Sequence, residues 1–280
     1  MTVMRQYQSP QRDLLTASDF RIRIFTNGAA AGAAAGAVRS EAVKHGFRVS
    51  DFKPDLIVAV GGDGTLIKAA KFRLPIMAVR AGTRNHLLDI DPENIGRAMA
   101  MLKHGRYKKV EYSMVAARLG RRKIFAFNEV GMISTQPQSI LVRLKHGHDP
   151  LLFEGDGVLV STPQGSTGWA FSANGTYLDS RVGALLVTPL NPVMNPLRSI
   201  VLPSETIEME LRDKGYEEHA NLVVDGKIIA RINRGKKVTI TPTGRKTIVY
   251  RFFSTNPIKD MLCGHERACS GTDRPQLIDP

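Results

Sequence analysis

The segment GGDG at residues 61–64 surrounds one carboxylate with three glycines and is well suited to chemistry. It follows the apolar, β-branched run 56–60, which predicts a strand buried on both faces. Because glycine lacks a Cβ, the backbone here can adopt positive φ and a bulky group can approach its N–H groups. Asp63 would then project from this turn. The structural alternative is that Asp63 caps a helix over residues 65–71.

A second polar segment, GDGVLVSTPQGSTGWAFSANG, occupies residues 155–175. A strand over 158–160 leads into STPQGST at 161–167, where hydroxyls and backbone amides crowd around a glycine. Such a segment suits phosphate or ribose oxygens. A Ser/Thr-rich turn that caps a helix is the structural alternative for this segment alone.

The first part of the chain alternates strands and helices. Strands are predicted at RIRIF (21–25), LIVAV (56–60) and PIMAV (75–79), with a small-residue helix after the first of them and another helix over 91–105. Glycines 28, 32 and 36 of the first helix recur every four residues and would allow close packing on a sheet. Alternation of this kind predicts a parallel sheet. We therefore expect a Rossmann-like α/β domain over residues 1–105.

The pattern changes after about residue 106. Segments rich in β-branched residues, separated by Gly, Pro and Asn, predict an all-β domain of two packed sheets over residues 106–255. The fold class is therefore α/β plus all-β, a Rossmann-like domain followed by a C-terminal β-sandwich. Residues 256–280 form a polar tail that either returns to the first domain or is disordered.

The charge is unusual for an otherwise ordinary soluble composition. The 280 residues carry a formal net charge of +13, and residues 103–145 hold ten Lys or Arg against Glu111 and Glu129. Such a field attracts nucleic acid, an anionic membrane or phosphorylated small molecules, or it simply aids solubility. Nucleic-acid-binding signatures are missing and aromatic residues make up only 6%. We expect anionic nucleotides as partners, with no nucleic acid and no membrane.

Location and redox state follow from the same composition. The N-terminus lacks an apolar core of signal-peptide length, and no stretch approaches the 18 apolar residues of a membrane span, so a cytoplasmic protein is expected. The two cysteines, Cys263 and Cys269, are expected to be reduced and unpaired, because His265 between them is too little for a metal site.

Four motifs in a fixed order indicate a family. GGDGT at 61–65 is followed by Asn128-Glu129 after a strand, then by GDG and STPQGST, and late in the chain by Val-Asp-Gly at 224–226. This order resembles the NAD kinases. The resemblance implies a Rossmann-like domain, a β-sandwich, and transfer of the γ-phosphoryl group of ATP, or of polyphosphate, to the adenosine ribose 2′-hydroxyl of NAD. It also implies Mg²⁺ or another divalent cation and a homo-oligomer, a dimer or tetramer.

The resemblance also implies a role for each motif residue. Asp63 would be the general base, since phosphoryl transfer needs positioning, charge neutralisation and an acceptor for the hydroxyl proton. The expected phosphate- and nucleotide-binding residues are Gly61, Gly62, Gly64, Thr65, Thr162, Gly165 and Ser166. The expected acceptor-binding residues are Asn128, Glu129, Asp156, Thr167, Gly168, Trp169, Ser172, Asp225 and His86. Taken singly, Asn128 could instead satisfy a strand end, and Asp156 and Asp225 could be turn residues.

Two positions depart from the family pattern and leave the acceptor open. Asn85-His86 stands where the family has an apolar aromatic contact, and Gly168-Trp169 replaces an Ala-Tyr pair. A kinase of the same fold that phosphorylates a sugar, polyol or nucleoside is therefore an alternative. A non-catalytic nucleotide- or nucleic-acid-binding protein is a second, although such a protein would not need the Asp63 base.

Overall fold

The computed structural model describes residues 19–27, 31–81, 86–148, 150–193, 198–215 and 219–254. These residues form two compact units, each with its own hydrophobic core. Unit 1 contains the described residues up to Lys109 together with 250–254, and unit 2 is Val110–Val249. Gly28, Asn85, the two cysteines and the tail over 256–280 lie outside the described residues.

Unit 1 has the predicted α/β architecture. Its strands are β1 (Arg21–Thr26), β2 (Arg48–Val49), β3 (Leu56–Gly61) and β4 (Ile76–Arg80), and its helices are α1 (Gly32–Lys44), α2 (Asp63–Ala69) and α3 (Ile95–Lys103). The strands pair in the order β2-β1-β3-β4, and every pair is parallel. All six residues of β3 are buried, as the unbroken apolar run predicts.

Helix α3 buries the face that its periodicity predicts. Ile95, Ala98, Met99 and Leu102 are all buried against the unit 1 core, and Gly105 follows the helix with φ 66°. The chain returns to this core near its C-terminal end. The backbone N–H groups of Phe252 and Phe253 both donate to Asp89, at 2.7 and 3.0 Å, and both rings are buried.

Unit 2 is a sandwich of two antiparallel sheets, as predicted. Its strands are β5 (Lys108–Leu119), β6 (Arg122–Ala126), β7 (Glu129–Ser134), β8 (Ile140–His146), β9 (Pro150–Gly155), β10 (Gly157–Ser161), β11 (Ala184–Leu190), β12 (Ile200–Pro203), β13 (Ile207–Arg212), β14 (His219–Val224), β15 (Lys227–Asn233) and β16 (Lys237–Arg251), whose last two residues belong to unit 1. A short helix, α4 (Trp169–Ser172), follows β10.

The two sheets of unit 2 enclose one core. One contains β16-β13-β8-β9, with β5 and β6 joined through β16, and the other runs β12-β11-β10-β7-β14-β15. Val142 of the first sheet and Val160 of the second belong to the same buried cluster. Among the described helices, none is long and apolar enough to cross a membrane.

Candidate active site

The GGDG segment of unit 1 joins β3 to α2. Gly62 is the N-cap of α2 and Asp63 is its first residue, and no side-chain capping hydrogen bond forms at this end. The helix-capping alternative for Asp63 is therefore wrong. A Cβ on Gly61 would lie 2.2 Å from the hydroxyl oxygen of Thr65, so close contact between strand and helix requires glycine there.

The Asp63 carboxylate is held by main-chain groups of the segment after β4. The N–H of Leu87 donates to its Oδ1 at 2.9 Å, and the N–H of His86 donates to its Oδ2 at 3.2 Å. A carboxylate offers about four lone-pair positions, so both oxygens can still accept another hydrogen. The structure thus places the backbone of His86 against Asp63.

The pKa of Asp63 is raised above its ordinary value. Burial is the main cause, and the N–H bonds from Leu87 and His86 and the positive charges of His86 and Arg251 oppose it. A raised pKa brings a carboxylate nearer the range of an effective general base. Gly64 is exposed, and a Cβ there would meet nothing within 4 Å among the described residues, so packing does not explain that glycine.

In unit 2, the turn between β6 and β7 (residues 127–129, here called the acceptor turn) is held through its main chain. The carboxylate of Asp225 accepts three N–H groups of this turn: Phe127 at 3.0 Å, Asn128 at 2.8 Å and Glu129 at 3.4 Å. Asp225 lies in the two-residue turn between β14 and β15. We expected Asp225 to bind the acceptor; in the described structure its carboxylate bonds to the backbone of this turn, and its binding to the acceptor stays a prediction.

The carbonyl groups of the acceptor turn are held from the other side. The Thr162 hydroxyl donates toward the carbonyls of Phe127 at 2.7 Å and Asn128 at 3.0 Å, and the Gln164 amide donates to Phe127 at 2.7 Å. Both side chains are buried. Thr162, which we expected at phosphate groups, thus uses its hydroxyl within the protein.

Four buried polar atoms beside this turn have no hydrogen-bond partner among the described residues. They are Asn128 Oδ1, Glu129 Oε2, Ser161 Oγ and Gln164 Oε1. Ser161 pairs with Glu129 across β10 and β7. Leaving a buried polar atom unsatisfied costs roughly 1–3 kcal/mol, so a cluster of four indicates a place where a polar ligand or ordered water binds.

The STPQGST segment lies directly against the acceptor turn. A Cβ on Gly165 would lie 2.2 Å from the carbonyl oxygen of Asn128, so only glycine fits. A Cβ on Gly168 would be 3.3 Å from Asn128 Nδ2 and 3.7 Å from Glu129 Oε2, which places both side chains beside Gly168. The absence of a side chain at Gly168 keeps space open in front of them.

The other two hydroxyls of this segment bond within it. Ser166 Oγ accepts the N–H of Leu178 at 2.9 Å and is fully buried, and the Thr167 hydroxyl donates to the carbonyl of Gln164 at 3.0 Å. In the described structure these hydroxyls shape the segment, and their binding to a nucleotide stays a prediction.

The electrostatics of Glu129 are unusual. The pKa of its carboxyl is raised to about 7, chiefly by burial and secondly by the negative charge of Asp225, while a hydrogen bond from the backbone of Gly226 opposes the shift. Glu129 is only 4% exposed. Near neutral pH the neutral acid and the carboxylate are therefore both populated.

A cavity of about 550 Å³ opens in unit 2 next to α4. It brings together three predicted acceptor-binding residues, Asp156, Trp169 and Ser172. Asn191 also lines it, and its amide donates to Asp156 at 2.6 Å. A cavity of this size, lined by apolar residues, one indole and several polar side chains, is typical of a small-molecule site.

Three residues of these arrangements were missed in the sequence. Gln164 lies within the STPQGST motif. The available signal was its amide side chain between Pro163 and Gly165. Asn191 and the cavity residue Arg198 lie around residues 191–199, a stretch in which no motif stands out. Within the described residues, no group of three His, Cys, Asp or Glu could hold a metal ion.

The chain was compared with known proteins. Residues 11–107 match the ATP-NAD kinase N-terminal domain and residues 128–252 match the ATP-NAD kinase C-terminal domain. A curated NAD kinase from Saccharolobus islandicus is 37% identical over 225 residues, which cover 80% of this chain and 90% of that protein.

Two solved structures share the fold. One is an NAD kinase from Archaeoglobus fulgidus in complex with ATP, with a TM-score of 0.72 and 22% identity over 83% of this chain and 94% of that one. The other is a yeast NADH kinase complexed with NADH, with a TM-score of 0.76 and 16% identity over 91% of this chain and 90% of that one. The α/β unit and the β-sandwich thus define a kinase-type fold. The domain matches and the curated relative show that the chain belongs to the NAD kinase family.

Proposed function

We propose that this protein transfers the γ-phosphoryl group of ATP to the adenosine ribose 2′-hydroxyl of NAD, giving NADP and ADP. One observation carries the proposal: the acceptor turn is fixed through its main chain, while Asn128 Oδ1 and Glu129 Oε2 are buried with no hydrogen-bond partner in the described part of the chain. Such oxygens suit ribose hydroxyls, because a hydroxyl of the ligand supplies the hydrogen bond that a buried oxygen no longer makes to water. Membership of the NAD kinase family supports the same reaction.

Asp63 is the proposed general base. As the 2′-oxygen forms a bond to the γ-phosphorus, the bond from that phosphorus to the bridging oxygen of ADP breaks, and the hydroxyl proton passes to Asp63. Each oxygen of Asp63 already accepts one N–H bond, which fixes the direction of its remaining lone pairs. Its raised pKa suits this role.

Unit 2 is proposed to bind the dinucleotide. Asn128 and Glu129 hold a ribose, Asp156 receives the nicotinamide carboxamide, and the Trp169 indole stacks on a ring in the cavity. Thr167, Gly168 and Ser172 enclose the nucleotide. Asp225 contributes by holding the acceptor turn. His86 remains a proposed acceptor contact in unit 1.

The glycine-rich segments are proposed to take phosphate oxygens through backbone N–H groups. These are Gly61, Gly62, Gly64 and Thr65 in unit 1 and Thr162, Gly165 and Ser166 in unit 2. Backbone donors fit better than the hydroxyls of Thr162 and Ser166, because those hydroxyls already bond within the protein.

A divalent cation such as Mg²⁺ is expected to enter with the nucleotide. The described residues form no carboxylate, His or Cys cage for it. Mg²⁺ in phosphoryl transfer commonly uses substrate phosphates with one or two protein carboxylates. We also propose a homo-oligomer, a dimer or tetramer, which light scattering at several concentrations would check.

The test is a phosphoryl-transfer assay with γ-labelled ATP and Mg²⁺ against NAD, NADH, nucleosides, sugars, polyols and diacylglycerol. Label in NADP is expected, and Asp63→Asn protein serves as the blank. Label in a sugar or polyol and none in NAD or NADH would replace the acceptor while keeping the kinase. Nucleotide binding without transfer to any acceptor would contradict the kinase itself.

A further inference from the structure

Asp225 is built into the fold as a support for the acceptor turn. Its φ is 48° and that of Gly226 is 71°, the pair of positive values that a type I′ turn requires, here between β14 and β15. From this turn its carboxylate accepts N–H groups from Phe127, Asn128 and Glu129. Its own N–H donates to the Glu129 carbonyl at 3.1 Å. A carboxylate used in this way is a positioning group.

Asp225 is also a charged neighbour of Glu129: its carboxylate accepts the Glu129 N–H at 3.4 Å, and its negative charge is, after burial, the second cause of the raised pKa of the Glu129 carboxyl. Strand β10 and the segment 164–172, which both pack beside Glu129, contain no ionisable residue. The ionisable residues of the flanking strands are Arg122 and Lys123 of β6, His219 at the far end of β14, and Lys227 and Arg231 of β15. Arg122, Lys123 and Lys227 are exposed. A buried carboxyl beside a carboxylate favours its neutral form.

We propose that Asp225 keeps Glu129 as the neutral acid, so that Glu129 donates its carboxyl hydrogen to the acceptor ribose. This inference rests on the proposed function, since it names how one residue of that site meets its ligand. Glu129 Oε2 is buried beside Gly168 with no partner among the described residues, so a donor placed there has only the ligand to bond. The pKa of about 7 agrees with a neutral acid below that pH.

The consequence is a pH-dependent affinity for NAD. If only the neutral acid binds, the dissociation constant for NAD rises about tenfold for each pH unit above the pKa of Glu129. Below that pH the affinity is level. Ionisation of Glu129 thus changes the affinity for the acceptor, whereas ionisation of Asp63 changes the rate of turnover.

Two variants separate the charge of Asp225 from its hydrogen bonds. Asp225→Asn removes the charge, tolerates the positive φ, and keeps an oxygen at Oδ1, which accepts Asn128 at 2.8 Å and Phe127 at 3.1 Å; only the Oδ2 bond to Phe127 is lost. It should move the loss of NAD affinity to lower pH. Glu129→Gln should bind NAD with no pH transition. Asp213→Asn, an exposed carboxylate paired with Arg234, is the matched control and should behave as the wild type.

Two readouts are needed. NAD affinity from pH 5.5 to 9 can be followed by fluorescence of Trp169, because it is the single tryptophan and lines the cavity. In the free protein, carbon NMR of the carboxyl groups follows the titration of Glu129, assigned by its loss in Glu129→Gln. We expect titration near neutral pH in the wild type and at lower pH in Asp225→Asn, with NAD affinity following the same curve.

Either of two results would overturn the inference: an unchanged Glu129 titration in Asp225→Asn, or an NAD affinity that ignores the ionisation of Glu129. Failure of the proposed function looks different. In that case NAD gives no fluorescence response at any pH, while the carboxyl titration, which needs no ligand, still decides whether Asp225 governs Glu129.

Discussion

The carboxylate of Asp225 accepts the backbone N–H of Asn128 at 2.8 Å across 97 residues of sequence. With the bonds from Thr162 and Gln164 to the carbonyls of the same turn, this fixes the main chain before Asn128 and Glu129. The side-chain oxygens Asn128 Oδ1 and Glu129 Oε2 have no hydrogen-bond partner among the described residues. A preorganised turn of this kind lowers the entropic cost of binding.

Replacing Asp63 with Asn should slow turnover while leaving nucleotide binding intact. The amide cannot accept the hydroxyl proton, and loss of a general base costs on the order of 10² to 10⁴ in rate. We expect kcat to fall at least about a hundredfold. Steady-state kinetics with NAD, and Asp51→Asn as an exposed control paired with Arg23, would check this. A near-normal kcat would remove Asp63 from the chemistry.

Replacing His86 with Phe should move the acid limb of the pH–rate profile to higher pH. The positive charge of His86 lowers the pKa of Asp63, so removing it raises that pKa and the base is protonated at a higher pH. The N–H of residue 86 still donates to Asp63. The profile of kcat/KM from pH 4.5 to 8 measures the shift. A simultaneous fall in KM for NAD would support a contact between residue 86 and the acceptor.

Replacing Glu129 with Gln should flatten the pH dependence of stability. The pKa of Glu129 is about 7 in the folded protein against 4.5 for an ordinary Glu, so the folded state binds more protons between these values. Stability from this group is present below pH 4.5 and is lost as pH rises to 7, by about 3 kcal/mol. Gln mimics the neutral acid and does not titrate.

Denaturant unfolding followed by Trp169 fluorescence at pH 5 and pH 7.5 measures this difference for unit 2. The Gln variant should gain stability relative to the wild type on going to the higher pH. Glu93→Gln, an exposed change in unit 1, should show no such gain. An equal pH response of wild type and Glu129→Gln would refute the raised pKa.

Replacing Asn191 should weaken acceptor binding by releasing Asp156. Asn191 has φ 43° and donates to Asp156 at 2.6 Å. Gly keeps the positive φ and removes only the amide, whereas Ala also strains the backbone. We expect KM for NAD to rise about tenfold or more in Asn191→Gly, as for loss of one hydrogen bond to a charged group, with kcat nearly unchanged. An unaltered KM would mean that Asp156 needs no support.

The elements of the fold could be predicted because local patterns encode them. The unbroken apolar run at 56–60 is a buried strand, and the spacing of Ile95, Ala98, Met99 and Leu102 is the buried face of a helix. The antiparallel sandwich followed from clustered β-branched residues. The chain returns to unit 1 at Phe252 and Phe253 through their backbone bonds to Asp89, and no local sequence pattern predicts this return.

The motifs named candidate site residues but did not predict the bonds that each one makes. Asp225 and Thr162, which the motif resemblance assigned to the ligand, lie beside Asn128. Their side chains, however, bond to backbone groups, and backbone groups are the same in every sequence, so residue identities cannot reveal such a bond. Gln164 was missed for the same reason. The pKa of Glu129 likewise depends on burial and on a charge 96 residues away.

The anchoring of the acceptor turn has a consequence for evolution and engineering. The side chains of Asp225, Thr162 and Gln164 bond to backbone groups of the acceptor turn. Substitutions at positions 128 and 129 should therefore leave the backbone conformation of this turn unaltered. Saturation libraries at these two positions would then sample new acceptor preferences on a constant scaffold. Diversification at Gly165 would mostly yield misfolded clones, because a Cβ at residue 165 collides with the Asn128 carbonyl. Acceptor selectivity can therefore change at these two positions without a change of fold.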